Sequence, residues 1–189
     1  MEKRGLRAAL CAQHATRTSR VGWSDEFRIG LMGSVRRVLT PRGMKVRQLL
    51  ELSRDWYWLA VAVVPKSGVL EAQWIGGLSG EYFLPVLRDW HQANIDLMVW
   101  DGLPGHRVLQ SAETAMPTIL QPAASPELNP TERVGELIRA KTEGRVYATL
   151  WHKMLAVEAV LHELQADRNR VKQLTGYPWI LDTLKELPW

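Results

Sequence analysis

Gln121-Pro-Ala-Ala-Ser-Pro-Glu-Leu-Asn-Pro-Thr-Glu132-Arg-Val-Gly-Glu136-Leu-Ile-Arg139 is a proline-punctuated loop that runs straight into a helix. Pro122 and the Ser125-Pro126 turn stop whatever precedes. Asn129 then suits a helix cap, and Pro130 suits the first helical position, where its missing N–H costs nothing. Glu132 falls in the first turn, with two readings open to it. In the plainer one, Asn129-Pro-Thr-Glu132 is a capping box and Glu132 reaches back to the Asn129 N–H. In the other, Glu132 is an acidic ligand where the loop meets the helix. Val134, Leu137 and Ile138 face the core at helical spacing, and Glu132, Glu136 and Arg139 share the polar stripe. Glu136 is therefore the nearest rival to Glu132, which lies nearer the loop.

Two further acidic positions bear on the choice. Ile95-Asp-Leu-Met-Val-Trp-Asp101-Gly-Leu-Pro-Gly-His106 reads as a short apolar strand ending in a carboxylate, followed by a Gly/Pro turn and a histidine. Strand ends are where sites are built in open α/β sheets. Upstream, Trp23-Ser-Asp25-Glu-Phe-Arg-Ile-Gly30 alternates with period two. Trp23, Asp25, Phe27 and Ile29 share one face; Ser24, Glu26, Arg28 and Gly30 share the other. Asp25 is thus expected on the apolar face. A carboxylate there is costly without a partner, and a bound cation is one of the few things that makes it tolerable.

SDEFRIGL (24–31), VWDGLPGHR (99–107) and SPELNPTERVGELIR (125–139), in that order, resemble the three signature blocks of the mariner-related bacterial insertion-sequence transposases, DDE endonucleases with an RNase H-like fold. The similarity runs from Trp23 to the tail GYPWI (176–180). It implies a metal-binding triad of Asp25, Asp101 and Glu132 that holds two Mg²⁺ or Mn²⁺ ions, hard cations suited to oxygen ligands. Such ions can clamp an in-line phosphoryl transfer, here DNA strand cleavage and strand transfer in cut-and-paste transposition. His106 is the histidine nearest this chemistry. It either contacts the scissile phosphate or leaving oxygen, or is a turn residue with a structural hydrogen bond. Without metal, three clustered carboxylates repel and should raise one another's pKa. The sequence departs from the commonest mariner form at Gly105, at Ala123-Ala124 and at Gly135.

The implied partners are double-stranded transposon ends and target DNA, bound by paired subunits as a homodimer. The helix-turn-helix modules that normally precede such a domain need more chain than residues 1–20 offer, so the expectation is either that a separate polypeptide supplies them or that the chain is a truncated remnant. A non-catalytic DNA-binding derivative of such a transposase is the alternative.

The charge distribution agrees with a polyanionic partner. The net charge is +4, and the basic residues cluster. Lys3, Arg4, Arg7, Arg17 and Arg20 crowd the first segment, while Arg36, Arg37, Arg42, Lys45 and Arg47 crowd the loop after the Asp25 strand. With Arg28 and Arg107, the loop residues are the expected DNA contacts. The single cysteine, Cys11, excludes an internal disulfide and a cysteine-based zinc site. The longest apolar run, Trp56 to Val64, is too short to span a bilayer, and the N-terminus lacks a signal-peptide core. A cytoplasmic, nucleoid-associated protein with no membrane partner is expected. No Walker loop, dinucleotide fingerprint or nucleophile elbow is present.

The remaining chain supplies the expected architecture. Residues 1–20 read as a basic N-terminal arm or short helix, and 21–189 as the RNase H-like DDE catalytic domain with a C-terminal helical extension from about 145. Residues 54–64 and 69–75 read as strands joined by a tight turn, an antiparallel meander with the Asp25 strand. Residues 79–92 carry Tyr82, Phe83, Val86, Leu87 and Trp90 at helical spacing. A crossover helix there lets the Asp101 strand lie parallel to the Asp25 strand, and Pro117–Gln121 is a fifth strand. The fold class is α/β, a mixed five-stranded sheet flanked by helices. A helix over about Leu150–Gln165 has Trp151, Met154, Leu155, Val157, Leu161 and Leu164 as its expected core stripe, with His152 and His162 in solvent. The tail from Leu174 to Trp189 is expected to dock on the body.

Overall fold

Apolar alternation and a long β2 run dictate a sheet buried on both faces. The computed structural model of the chain describes residues 3–33, 39–47, 49, 52–111, 116–122 and 125–188. Its strands are β1 (Val21–Gly30), β2 (Trp56–Val64), β3 (Val69–Ile75), β4 (Leu97–Trp100) and β5 (Thr118–Leu120). They form one five-stranded sheet in the order β3-β2-β1-β4-β5. β1 and β2 are antiparallel, with Trp23 opposite Val63 and Gly30 opposite Trp56, and β2 and β3 are antiparallel as well. β4 lies parallel to β1, and β5 parallel to β4. The chain reaches β4 through α2 (Gly80–Gln92), since a parallel neighbour requires a crossover. This is the mixed RNase H-like sheet expected from the sequence.

β2 is a continuous apolar run because neither of its faces meets water. Leu59, Val61 and Val63 join Trp23, Phe27 and Ile29 in one core. Ala60, Ala62 and Val64 join Phe83, Trp90, Met98 and Trp100 in the other. α2 and α3 (Pro104–Ser111) cover the second face, while α1 (Lys3–Ala12), α4 (Glu132–Thr142), α5 (Leu150–Ala166), α6 (Arg168–Thr175) and α7 (Pro178–Lys185) cover the first. Alternation in β1 therefore does not separate core from solvent. Ser24 is 1% exposed and the Glu26 side chain 2%, although period two alone reads that face as polar.

Two other expectations are revised by packing. Residues 3–20 carry positive charge, but Leu6, Leu10 and Ala15 lie in the core, and the Arg17 N–H donates to the Pro188 carbonyl at 3.0 Å. The first segment is thus packed against the end of the chain. In α5 the buried residues are Lys153, Val157, Val160, Leu161 and Leu164, whereas Trp151 is 60% exposed and Leu155 43%. The helix is apolar on nearly every side, and 3.6 residues per turn puts Trp151 and Leu155 opposite the packed stripe. His152 and His162 are exposed, as expected. The tail docks through Ile180, Leu184 and Leu187. Among the described residues, no helix is long and apolar enough to cross a membrane.

Candidate active site

The β1–β4 register brings two of the acidic residues together. Val21 pairs with Leu97 and Trp23 with Val99, so Asp25 and Asp101 each stand two residues beyond the last pair, where the strands part. Asp96, just before β4, pins this register: it accepts from the Arg20 backbone N–H at 2.7 Å and from the Arg20 guanidinium at 2.9 Å, while its own N–H donates to the Arg20 carbonyl.

Glu132 arrives from the other side of the sheet. Gln121 follows β5 with its N–H bonded to the Trp100 carbonyl, and a 3-10 turn over Pro126–Leu128 then carries the chain back to β1. There the Asn129 side chain donates to the Ser24 carbonyl at 2.9 Å, and the Thr131 hydroxyl donates to the Trp23 carbonyl at 2.8 Å. Asn129 Oδ1 also accepts the Thr131 N–H at 3.1 Å. No capping box forms, because the Asn129 N–H is already bonded to the Pro126 carbonyl at 2.9 Å. Glu132 instead lines the cleft, and its nearest cation is Arg139 at 3.9 Å. Glu136 turns away to pair with Arg133 at 2.8 Å and is more than half exposed.

Gly135 makes this docking possible. A Cβ there would stand 2.4 Å from Phe27 Cε1, so the ring of β1 occupies the volume a side chain would need. Gly105 is similar, with the Leu78 carbonyl 2.3 Å from where its Cβ would be. The small residues at these two positions leave no void; they admit neighbouring groups. Ala123 and Ala124 lie outside the described residues.

Asp25, Asp101 and Glu132 together line a cleft of about 320 Å³, with Gly102, Leu103, Pro104 and Gln121 among its other walls. Burial pushes the Asp25 carboxyl up to about 8, and the negative charges of Glu132, Glu26 and Asp101 add to the shift. Asp101 behaves oppositely. Burial raises its pKa, but hydrogen bonds from His106 and from the Leu103 N–H outweigh this and hold it below the ordinary carboxylate range.

His106 sits on α3 with its ring 1% exposed, so it lies behind the cleft. Its Nδ1 is 2.7 Å from Asp101 Oδ1, and its Nε2 is 3.3 Å from Glu26 Oε2. The ring packs between Trp100 and Phe83, at centroid distances of 4.4 and 4.7 Å. Burial would lower its pKa, but the bonds to Asp101 and Glu26 outweigh that and raise it to about 9. Protonated, the ring donates from Nδ1 to Asp101 and faces Glu26 across an ion-pair contact at 3.3 Å that is not aligned as a hydrogen bond. Burial raises the Glu26 pKa, with His106 working against the rise. Sequence reasoning passed over Glu26; the only signal for it is its place beside Asp25 on a strand whose second face also turns out to be covered.

Among the described residues, no three carboxylate, imidazole or thiol groups converge tightly enough to enclose an ion as the side chains lie. The chemistry of the donors still fits a hard divalent cation. Asp25, Asp101 and Glu132 offer oxygen alone, and a cation would relieve the repulsion that raises Asp25.

Of the basic residues expected to meet DNA, Arg107 borders this cleft. Arg107 is exposed at its lip, donating from Nε to the carbonyl of the wall residue Gly102 at 3.1 Å. Arg28 lies over the Trp56 ring at 4.7 Å, near the end of β1. Arg42, Lys45 and Arg47 are exposed in the long β1–β2 connection; Arg36 and Arg37 lie outside the described residues.

No family model and no curated protein matches the sequence. Among solved structures, the chain is similar to a mariner Mos1 paired-end complex with Mg (15% identity, TM-score 0.65) and to one with Mn (14%, 0.65). It is also similar to the Mos1 strand transfer complex (13%, 0.64). Each likeness covers 97% of this chain and 58% of the other, so the chain spans less than two thirds of those proteins. The likeness shows a shared RNase H-like fold.

Proposed function

We propose that the chain is the catalytic part of a DDE transposase, a DNA strand-cleaving and strand-transferring enzyme of mariner-like insertion-sequence type. The observation that carries this reading is the meeting of Asp25, Asp101 and Glu132, from β1, the end of β4 and the first turn of α4, on one cleft. The similar folds are those of paired-end and strand transfer complexes, two of them with Mg or Mn.

In this reading the three carboxylates hold two divalent ions, Mg²⁺ or Mn²⁺. Bound there, such ions activate the attacking water or 3′-hydroxyl and stabilise the leaving oxygen. The chain's own residues supply the rest. Asp101 is kept ionised and fixed in direction by His106 and the Leu103 N–H. His106, being buried, acts through Asp101 as a positioning residue. Asn129 and Thr131 hold the Glu132 turn against β1. Arg107 at the lip, with Arg28, Arg36, Arg37, Arg42, Lys45 and Arg47, draws duplex phosphates to the cleft. Transposon ends and target DNA are the substrates, gripped by two subunits. The work is done in the cytoplasm at the nucleoid.

Nicking of supercoiled plasmid in Mn²⁺ tests the proposal. Wild-type protein, supplied with the partner polypeptide where the element encodes one, should nick; Asp25→Asn, Asp101→Asn and Glu132→Gln should not. Nicking by all three variants at the wild-type rate refutes it.

A further inference from the structure

Glu26 is a buried carboxylate that the chemistry above leaves without a task. Its side chain is 2% exposed, on the sheet face covered by α2 and α3, where its neighbours across the sheet include Ala60. A buried acid on such a face is expensive, and replacing a buried ion pair by apolar residues is often neutral or stabilising. Packing alone therefore gives no reason for it. Geometry gives one, because the ring that holds Asp101 stands 3.3 Å from it.

We infer that Glu26 is a positioning residue for the cleft: it anchors His106 Nε2 from behind, so that Nδ1 is aimed at Asp101 Oδ1. The three side chains form a strut from the core to the cleft wall. Phe83 and Trp100 contact the imidazole and limit its tilt, but ring contacts do not oppose a flip about χ2, which would put Cδ2 and Cε1 where Nδ1 and Nε2 stand. A carboxylate on the Nε2 side opposes that flip, since the flipped ring would turn carbon toward both acids. Asp101 is itself nearly half exposed, and its remaining fixed partner is the Leu103 N–H. The direction of its free oxygen thus depends on the strut. Partners of this kind behind a metal ligand typically matter by about 10–100-fold in metal affinity. The inference rests on the proposed function in taking Asp101 as a metal ligand.

The test combines two readouts on the full chain. The first is the ring N–H signal of nitrogen-labelled His106, recorded without metal. The second is Mn²⁺ affinity by calorimetry. Glu26→Leu, with Glu26→Met in reserve should the leucine variant not fold, should broaden or lose the ring signal and weaken Mn²⁺ binding about 10–100-fold, while circular dichroism and melting show a folded protein. Glu26→Gln, whose amide oxygen can take the place of Glu26 Oε2 beside Nε2, should keep the signal and restore most of the affinity. In a His106→Phe background, Glu26→Leu should change Mn²⁺ affinity no further, because Glu26 acts only through the ring. An unchanged ring signal in a folded Glu26→Leu or Glu26→Met protein overturns the inference. So does full additivity of the Glu26 and His106 effects. If wild type binds no Mn²⁺, the metal-site reading is what fails, and the ring signal alone decides whether the strut exists.

Discussion

The Asn129 side-chain amide donates to the Ser24 carbonyl at 2.9 Å and so ties the residue three before Glu132 to the residue just before Asp25. This bond, with that from Thr131 to Trp23, is how an α4 turn more than a hundred residues along the chain is held beside β1. Asn129 is 4% exposed. Asn129→Ala leaves the Ser24 carbonyl without this donor and removes the acceptor for the Thr131 N–H, a loss of about 1–3 kcal/mol in urea denaturation. Strand cleavage should fall by more than the folded fraction does, because Glu132 loses its fixed place. Equal losses in the two measurements would reduce Asn129 to a stabilising residue.

Glu132→Gln should abolish cleavage without unfolding the protein. A cap would tolerate the change, since an amide oxygen still accepts a hydrogen bond. A metal ligand would not, having lost its charge. Without metal, stability should hold or rise, because Glu132 is one of the charges repelling Asp25. Glu136→Gln, at an exposed residue paired with Arg133, should cleave like wild type. The reverse pattern in a plasmid nicking assay would move the ligand to Glu136.

Metal-free stability should decline as pH rises from about 4 to about 8. Asp25 has its pKa raised from 3.8 to about 8 by burial first and by neighbouring carboxylates second. Between those values the native state binds more protons than the unfolded one, so unfolding becomes easier with rising pH. His106, raised from 6.5 to about 9, acts in the same direction above about 6.5, its contribution being lost as pH passes its folded value. Thermal melts of wild type and Asp25→Asn across this range separate the two, since the variant should keep only the shallower, higher-pH decline. Added Mn²⁺ should stabilise wild type most at pH 8. Superimposable pH profiles for the two proteins would show that Asp25 is not the group responsible.

DNA binding should be electrostatic and only weakly sequence-selective. Log affinity should fall linearly with log salt, and Arg107→Ala should reduce the slope by about 1 if it meets a phosphate. Affinity for transposon-end and random duplexes should differ little. Strong end selectivity would contradict binding that rests on phosphate contacts, which carry no sequence information.

Gly135→Ala should destabilise the fold by about 1–3 kcal/mol through overpacking against Phe27, whose ring carbon lies 2.4 Å from the new Cβ. Phe27→Leu should recover part of that loss in a double-mutant cycle. A neutral Gly135→Ala would mean that α4 slides easily on β1.

Local pattern determined much of this protein. Period two marked β1, helical spacing marked α2 and α4, and a crossover of the right length let β4 run parallel to β1, which brings Asp101 level with Asp25. Those are short-range consequences of backbone geometry, and they are legible one stretch at a time. What covers each surface is not. Glu26 reads as polar-face until α2 and α3 close over it, residues 1–20 read as a basic arm or a short helix until α1 forms and Leu6 and Leu10 enter the core, and Trp151 reads as core until α5 commits its other side. The choice between Glu132 as cap and Glu132 as cleft residue was likewise decided at a distance, by a Pro126 carbonyl that takes the Asn129 N–H and a Ser24 carbonyl that takes its side chain. A residue's own type sets which hydrogen bonds and charges it can offer, but only the packed neighbours determine which of them remain available.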